Sequence, residues 1–214
     1  LLLAGCASSG KDADQRFSEL ARQLWQAEQQ LRDVPPGELI DMSPQALLER
    51  QQQRLAWQAR LQQLDSSKLS EQNQINHAIL SYRLANEIDE YQFGAHMMPL
   101  TSESGFHTSL GFLPQYSSFK SQDDYRHYLA KLSAIPRYMQ QQIQWMQQGL
   151  ASGMSQPKAV LKGFEQSILS YIVADPTQSL FYRPFKQKPD YINDADWQVL
   201  TEQARLQITE AVNP

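Results

Sequence analysis

Four histidines, one cysteine and a bunch of carboxylates are the side chains of this 214-residue sequence that could carry chemistry. The histidines are His77, His96, His107 and His127, and none stands three or four residues from another histidine or from the cysteine. A helix presents two metal ligands on one face only at those intervals, so no ligand pair is built into a helix here. No His-Glu-x-x-His occurs either, and a zinc site of that pattern cannot be assembled from this segment. His96 and His107 flank a stretch without helical period and could converge on a metal, or serve singly as hydrogen bonders. Glu87, Asp89 and Glu90 bunch just ahead of that stretch, where paired acids could do acid/base work or simply form a solvated helix face. Glu103-Ser104-Gly105 lacks the strand-turn-helix context of a nucleophile elbow, and no glycine-rich phosphate loop follows a strand. The residues taken alone show no catalytic apparatus and no metal or cofactor ligand set.

The cysteine is Cys6, within Leu3-Ala4-Gly5-Cys6, whose order of apolar, small, small and Cys resembles the bacterial lipobox. Small residues before the cut admit a signal peptidase, and the thiol is the atom that takes a diacylglyceryl group. Residues 1–6 then read as the end of a lipoprotein signal peptide, and residues 7–13, small and polar, as a flexible tether. A single cysteine closes no intramolecular disulfide. Each buried acyl methylene contributes roughly 0.8 kcal/mol, so an acylated Cys6 makes the lipid bilayer the expected partner. Ala7 after the cysteine resembles the sorting pattern of outer-membrane lipoproteins, which places the protein at the outer membrane facing the periplasm. The chain has no initiator Met and stops at Val212-Asn213-Pro214 just after a helical pattern, so the expectation is a piece of something longer.

Composition sets outer bounds. With 41% hydrophobic and 20% charged residues the chain can bury a core, and a net charge of -4 leaves no basic excess to neutralise phosphates, which argues against nucleic-acid binding. No run of about 18 apolar residues is present to span a membrane.

The elements that must position these side chains are helical nearly everywhere, and nothing reads as a strand. Phe17, Leu20, Ala21, Leu24, Ala27 and Leu31 recur at three- and four-residue steps, predicting a helix from about Asp14 to Arg32, ended by Pro35-Pro36-Gly37. Ser43-Pro44 predicts the next helix start, and Leu47, Leu48, Leu55, Trp57, Leu61 and Leu64 its inner face. A third helix, from near Ser70 to about Phe93, carries Ile75, Ile79 and Tyr82 on one side and Leu84, Ile88 and Tyr91 on the other, which predicts a central position. Between 94 and 120 the period disappears into one long Gly/Pro/aromatic loop. Ser121-Gln122-Asp123-Asp124 opens another helix like a capping box, Pro136 kinks or restarts it, and Gly149 and Gly153 end it. A shorter helix follows Pro157, then the aromatic linker Leu180–Phe185, then a last helix from about Asn193. The fold class is all-α, an irregular multi-helix array.

Taken in order, several features resemble one family. They are the lipobox, the Phe93–Leu113 loop with Met98-Pro99 and Gly105, and the Leu129–Gly149 helix with Ile135-Pro136 and Gln142-Ile143. Gly153, Pro157 and Phe181-Tyr182-x-Pro184-Phe185 complete the series. Together they resemble the N-terminal part of the bacterial family called domain of unknown function 885 (DUF885), and residues 14–214 would be the helical N-terminal portion of such a domain. The resemblance implies a largely helical, zinc-dependent peptidase whose His-Glu zinc motif lies downstream of the matched region. Zinc is then expected in a full-length protein and no cofactor in this segment, which should be inactive alone. The implied role is one wall of a channel for a peptide substrate, with His96, Met98, Pro99, Gly105 and His107 lining it. The alternative is a self-sufficient helical lipoprotein serving as adaptor or binding module. A partial domain should also expose apolar faces, expected around Trp197 to Ala211 and the Phe181 linker.

Overall fold

Helix starts in this chain are written in local side-chain chemistry. The Ser43 side chain accepts from Ala46 N at 3.3 Å with Pro44 in the first turn, and α2 runs Pro44–Gln62. Ser121 and Asp124 cap each other's backbone reciprocally in a capping box, and α5 runs Gln122–Ser133. Asn193 accepts from Asp196 N at 2.9 Å ahead of α8, Asp194–Gln207, which continues as a π turn to Val212. Around these lie α1 (Ala4–Arg32), α3 (Glu71–Gln92), α4 (Leu113–Tyr116), α6 (Ile135–Ser152) and α7 (Glu165–Leu169), joined by short 3-10 turns. The computed structural model describes residues 4–32, 34–101 and 104–213; Leu1 to Leu3, Asp33, Ser102, Glu103 and Pro214 lie outside the described residues, as do the side chains of 4–10, Cys6 among them, and of Arg32. Among the described residues there is no strand, only a bridge between Leu100 and Gly105, so the protein is all-α. No helix among them is long and apolar enough to cross a membrane.

The chain divides into two compact units. One contains Leu1–Asp33 and Ser43–Ala95, thus α1, α2 and α3. Its core is Phe17, Leu20 and Leu24 of α1 with Leu61, Leu69 and Leu84. Polar clamps hold the helices in register: Arg83 donates to both oxygens of Glu28 at 2.6 and 2.9 Å, and Asp14 accepts from Ser70 N and from Asn73 Nδ2, each at 2.9 Å. The other unit contains Val34–Met42 and His96–Pro214. Its core joins Tyr125, Tyr128, Leu129 and Leu132 of α5 to Phe181, Tyr182 and Phe185 and to Leu200, Ala204 and Ile208. The Val34–Met42 segment is fixed to α6 by Arg137 to Leu39 O (3.1 Å), Gln141 to Asp41 (2.7 Å) and Trp145 Nε1 to Met42 O (2.7 Å).

Four expectations change. First, α1 begins at Ala4, so the segment 7–13 read as a tether is helical; a missing apolar period is no helix breaker, and Ala7, Lys11 and Ala13 are good helix formers. Second, α3 is not central: Leu84 and Ile88 are buried, whereas Ile75, Ile79 and Tyr82 lie exposed, Tyr82 at 71%. Third, the Phe181 linker is not an exposed apolar face, and the Trp197–Ala211 helix buries Leu200, Ala204 and Ile208 while leaving Val199 and Leu206 exposed. The linker winds into a 3-10 helix, Leu180–Phe185, that turns three aromatics inward, and Ile208 is 0% exposed. Fourth, the helix expected after Pro157 shortens to α7, preceded by turns, while Gly149 lies inside α6 rather than ending it.

Gly153 does end α6, in the left-handed region at φ 80°, with Met154 N donating back to Gly149 O at 2.7 Å in a Schellman arrangement. Gly149 is there for space. A Cβ on it would run into the carbonyl oxygens of Met154 and, at 2.9 Å, of Met97. Alanine normally improves a helix interior by about 0.5–1 kcal/mol over glycine. Gly149→Ala should do the reverse, losing about 1–3 kcal/mol because backbone cannot swing aside. A thermal melt decides the sign: the expected drop is several degrees, and a raised midpoint would show the contact to be slack.

Candidate functional site

The long loop is not structureless. Ala95–Met97 and Thr108–Phe112 are 3-10 turns, and between them Thr101 N donates to Ser104 O (2.8 Å) and Phe106 N to Pro99 O (3.2 Å) across the Leu100 to Gly105 bridge. Gly105 makes that bridge possible: a Cβ there would stand 2.5 Å from Leu100 Cδ1 and 3.0 Å from the His107 ring. Pro99 and Gly105 are therefore loop-shaping residues, with Met98 half-buried beside them.

The pinned loop presents His107. Its ring is 3% exposed, edge-on to Phe106, with Nε2 at 2.7 Å from Ser167 Oγ. Ser167 spends its one hydroxyl proton on Phe164 O at 2.6 Å, so His107 Nε2 is the donor and Nδ1 is left unprotonated, buried and without a partner. His96 sits elsewhere, its ring edge on Trp145 with centroids 4.5 Å apart. Burial pushes both imidazoles below the ordinary histidine value of 6.5, which keeps them neutral.

Beside His107 opens an apolar cleft of about 240 Å³. The loop contributes His107 and Leu110, and α6 contributes Ile135, Pro136, Met139 and Ile143 from one face. Ile168, Tyr171 and Ile172 of α7 and its exit close one side, Phe181 lies among the lining, and Glu210, Ala211 and Val212 complete it. Of the five residues expected to line a channel, His107 alone reaches this cleft; His96, Met98, Pro99 and Gly105 do not line it. The residues missed were readable only in part. The 135, 139, 143 spacing marks an apolar face, but nothing in the sequence brings Tyr171 or Glu210 to it.

The described side chains do not fit a zinc ion. His107 has given Nε2 to Ser167, His96 packs on Trp145, and among the described residues no three His, Cys, Asp or Glu side chains gather closely enough to hold a metal. Glu87 is engaged by Arg54 at 3.0 Å and faces Arg83 at 3.9 Å, while Asp89 and Glu90 are exposed, so these acids form a solvated face with one ion-paired member.

The buried histidines set a pH dependence whose sign is fixed. The unfolded chain takes up protons near 6.5 and the folded chain resists them to a lower pH, so stability is full above about 6.5 and falls as pH drops below it. Carboxylates such as Asp14 and Asp124, held below their ordinary 3.8 by hydrogen bonds, act only in more acidic solution. Melting temperatures should therefore decline between about pH 6.5 and 5, and His107→Gln should flatten that decline; an unchanged slope would remove His107 from the account.

No curated protein and no solved structure shows significant similarity to this chain. A family model does match, over residues 18–214, which takes in the pinned loop, α6, α7 and the whole lining of the cleft. The chain belongs to the family described as bacterial protein of unknown function, DUF885.

Proposed function

We propose that this chain is the non-catalytic helical part of an envelope-anchored lipoprotein resembling zinc-dependent peptidases, and that the cleft beside His107 is a stretch of the wall along which a peptide substrate runs. The observation that supports this most is the cleft itself. It is apolar, its mouth carries the exposed aliphatic side chains Ile143 and Ile172, and one wall is the loop that the resemblance singles out. Exposed aliphatics around a concave surface are what an extended chain with alternating side chains can bury. The zinc that the resemblance implies finds no donor set among the described side chains, and no catalytic step is assigned to them. Anchoring would fall to Cys6, with an outer-membrane, periplasm-facing location.

The adaptor reading has its own supporting observation, the exposed Ile75, Ile79 and Tyr82 at helical spacing along α3. One titration separates the two. An unstructured peptide such as oxidised insulin B chain is added to isotope-labelled protein and followed by amide shifts. The channel-wall reading expects shifts at 104–112 and 135–143, no cleavage products, and about tenfold weaker binding for Ile143→Asp, roughly 1.4 kcal/mol. Shifts confined to 75–82 favour the adaptor, and cleavage by the chain alone overturns the non-catalytic assignment. In cells expressing the native gene, labelled palmitate should enter the protein and Cys6→Ser should move it from the membrane to the soluble fraction; an unlabelled, soluble wild type would end the lipoprotein assignment.

A further inference from the structure

We propose that the cleft beside His107 is a binding site for a small hydrophobic amine: an apolar body no larger than one or two big side chains, bearing an ammonium group. The inference stands on the charge and size of the cleft and does not require the peptide-channel reading.

Size comes first. At about 240 Å³ the cleft is smaller than the roughly 300–1,000 Å³ of pockets that enclose drug-sized ligands. A long acyl chain or a folded partner does not fit, whereas a phenethyl or isobutyl group does. The walls offered to such a group are Met139, Ile143, Tyr171 and Phe181, and each Å² of apolar surface they take from water contributes roughly 25 cal/mol.

Charge then selects the head group. Among the described residues that line the cleft there is no lysine and no arginine, and Glu210 is the one acid. Glu210 is exposed and forms no ion pair or hydrogen bond with the described residues, so its carboxylate is available. The other ionisable lining group, His107, is kept neutral by its burial and spends Nε2 on Ser167. The cleft therefore carries one negative charge, on an exposed side chain that water partly screens, and it attracts an ammonium and repels a carboxylate by a modest margin. An amine of this kind exists free or as the first residue of a peptide, and both present the same chemistry to the cleft.

The test uses the whole chain, isotope-labelled, titrated with phenethylamine, 2-phenylethanol and 3-phenylpropionate, which share a ring and differ in head group. Saturable amide shifts are expected around 107–110, 135–143 and 208–212, with the amine about threefold to fivefold tighter than the alcohol and the carboxylate weakest. Glu210→Gln, a change at an exposed position, should lower the amine to the affinity of the alcohol and leave the alcohol unchanged. Phenylalaninamide distinguishes the sources: binding beside phenethylamine assigns a peptide amino terminus as an acceptable ligand, and its exclusion restricts the site to free amines. Equal affinities for all three probes, a preference for the carboxylate, shifts away from the cleft or no saturable shift would each overturn the proposal. If a long peptide binds this cleft while the probes show no head-group preference, the peptide reading stands and the amine site falls.

Discussion

The Tyr128 hydroxyl must find an acceptor inside the core, because its residue is 1% exposed and a buried polar group left without a partner costs about 1–3 kcal/mol. It donates to Phe181 O at 2.9 Å. That bond ties α5 to the start of the Leu180–Phe185 turn, and much of the second unit follows from it. With its carbonyl held, Phe181 keeps its ring within 5.8 Å of Tyr171, where it becomes part of the cleft. Phe185 is carried into an aromatic cluster with Tyr125, Tyr128 and Trp197, and Trp197 fixes the start of α8. The same burial drives the Tyr128 hydroxyl well above its ordinary pKa, so it stays a donor at any physiological pH. A cleft lined from five separate segments is rigid only if its linings are anchored behind, and this bond anchors Phe181 to α5.

Close backbone approach does for the loop what the Tyr128 bond does for the core. Gly149 lets the Met97 carbonyl lie against α6, Gly105 leaves room for the His107 ring, and Gly111 sits where a Cβ would strike the Tyr171 hydroxyl, 2.5 Å away. Each contact is short because a side chain is missing; those at Gly149 and Gly111 couple the loop to α6 and to Tyr171, and the one at Gly105 packs the loop on itself. The loop is thus held by excluded volume and a handful of backbone bonds instead of by a regular ladder.

Local chemistry was legible and three-dimensional partnership was not. Ser43-Pro44, Ser121 with Asp124, Asn193 and Pro136 mark their boundaries because a cap or a missing N–H acts within four residues. Apolar period on α3 could not say which face is covered, since Ile79 and Leu84 look equally suited to burial until the positions of α1 and α2 choose Leu84. The aromatic run at 180–185 read as a linker because 3-10 turns have no amphipathic period long enough to recognise. Of the cleft, His107 was legible from its loop and the α6 face from its spacing. Glu210 was not, because an acid near the end of a helix is ordinarily only a solvated charge.

His107 and Ser167, at 2.7 Å, have the separation of a nucleophile and its base, yet the protons run the wrong way. A general base needs an unprotonated nitrogen facing the hydroxyl. Here the hydroxyl proton belongs to the Phe164 carbonyl, so the imidazole must donate from Nε2. Reversing the pair would cost the serine its 2.6 Å bond to Phe164 and place a proton on Nδ1, which is buried with no acceptor. The imidazolium formed in catalysis would lack the carboxylate that steadies it in serine hydrolases, in a setting that already disfavours charge. The contact is better understood as a strut: it ties the 104–112 loop to α7 and holds two walls of the cleft together, while burial keeps the histidine uncharged and leaves Glu210 to give the cleft its sign.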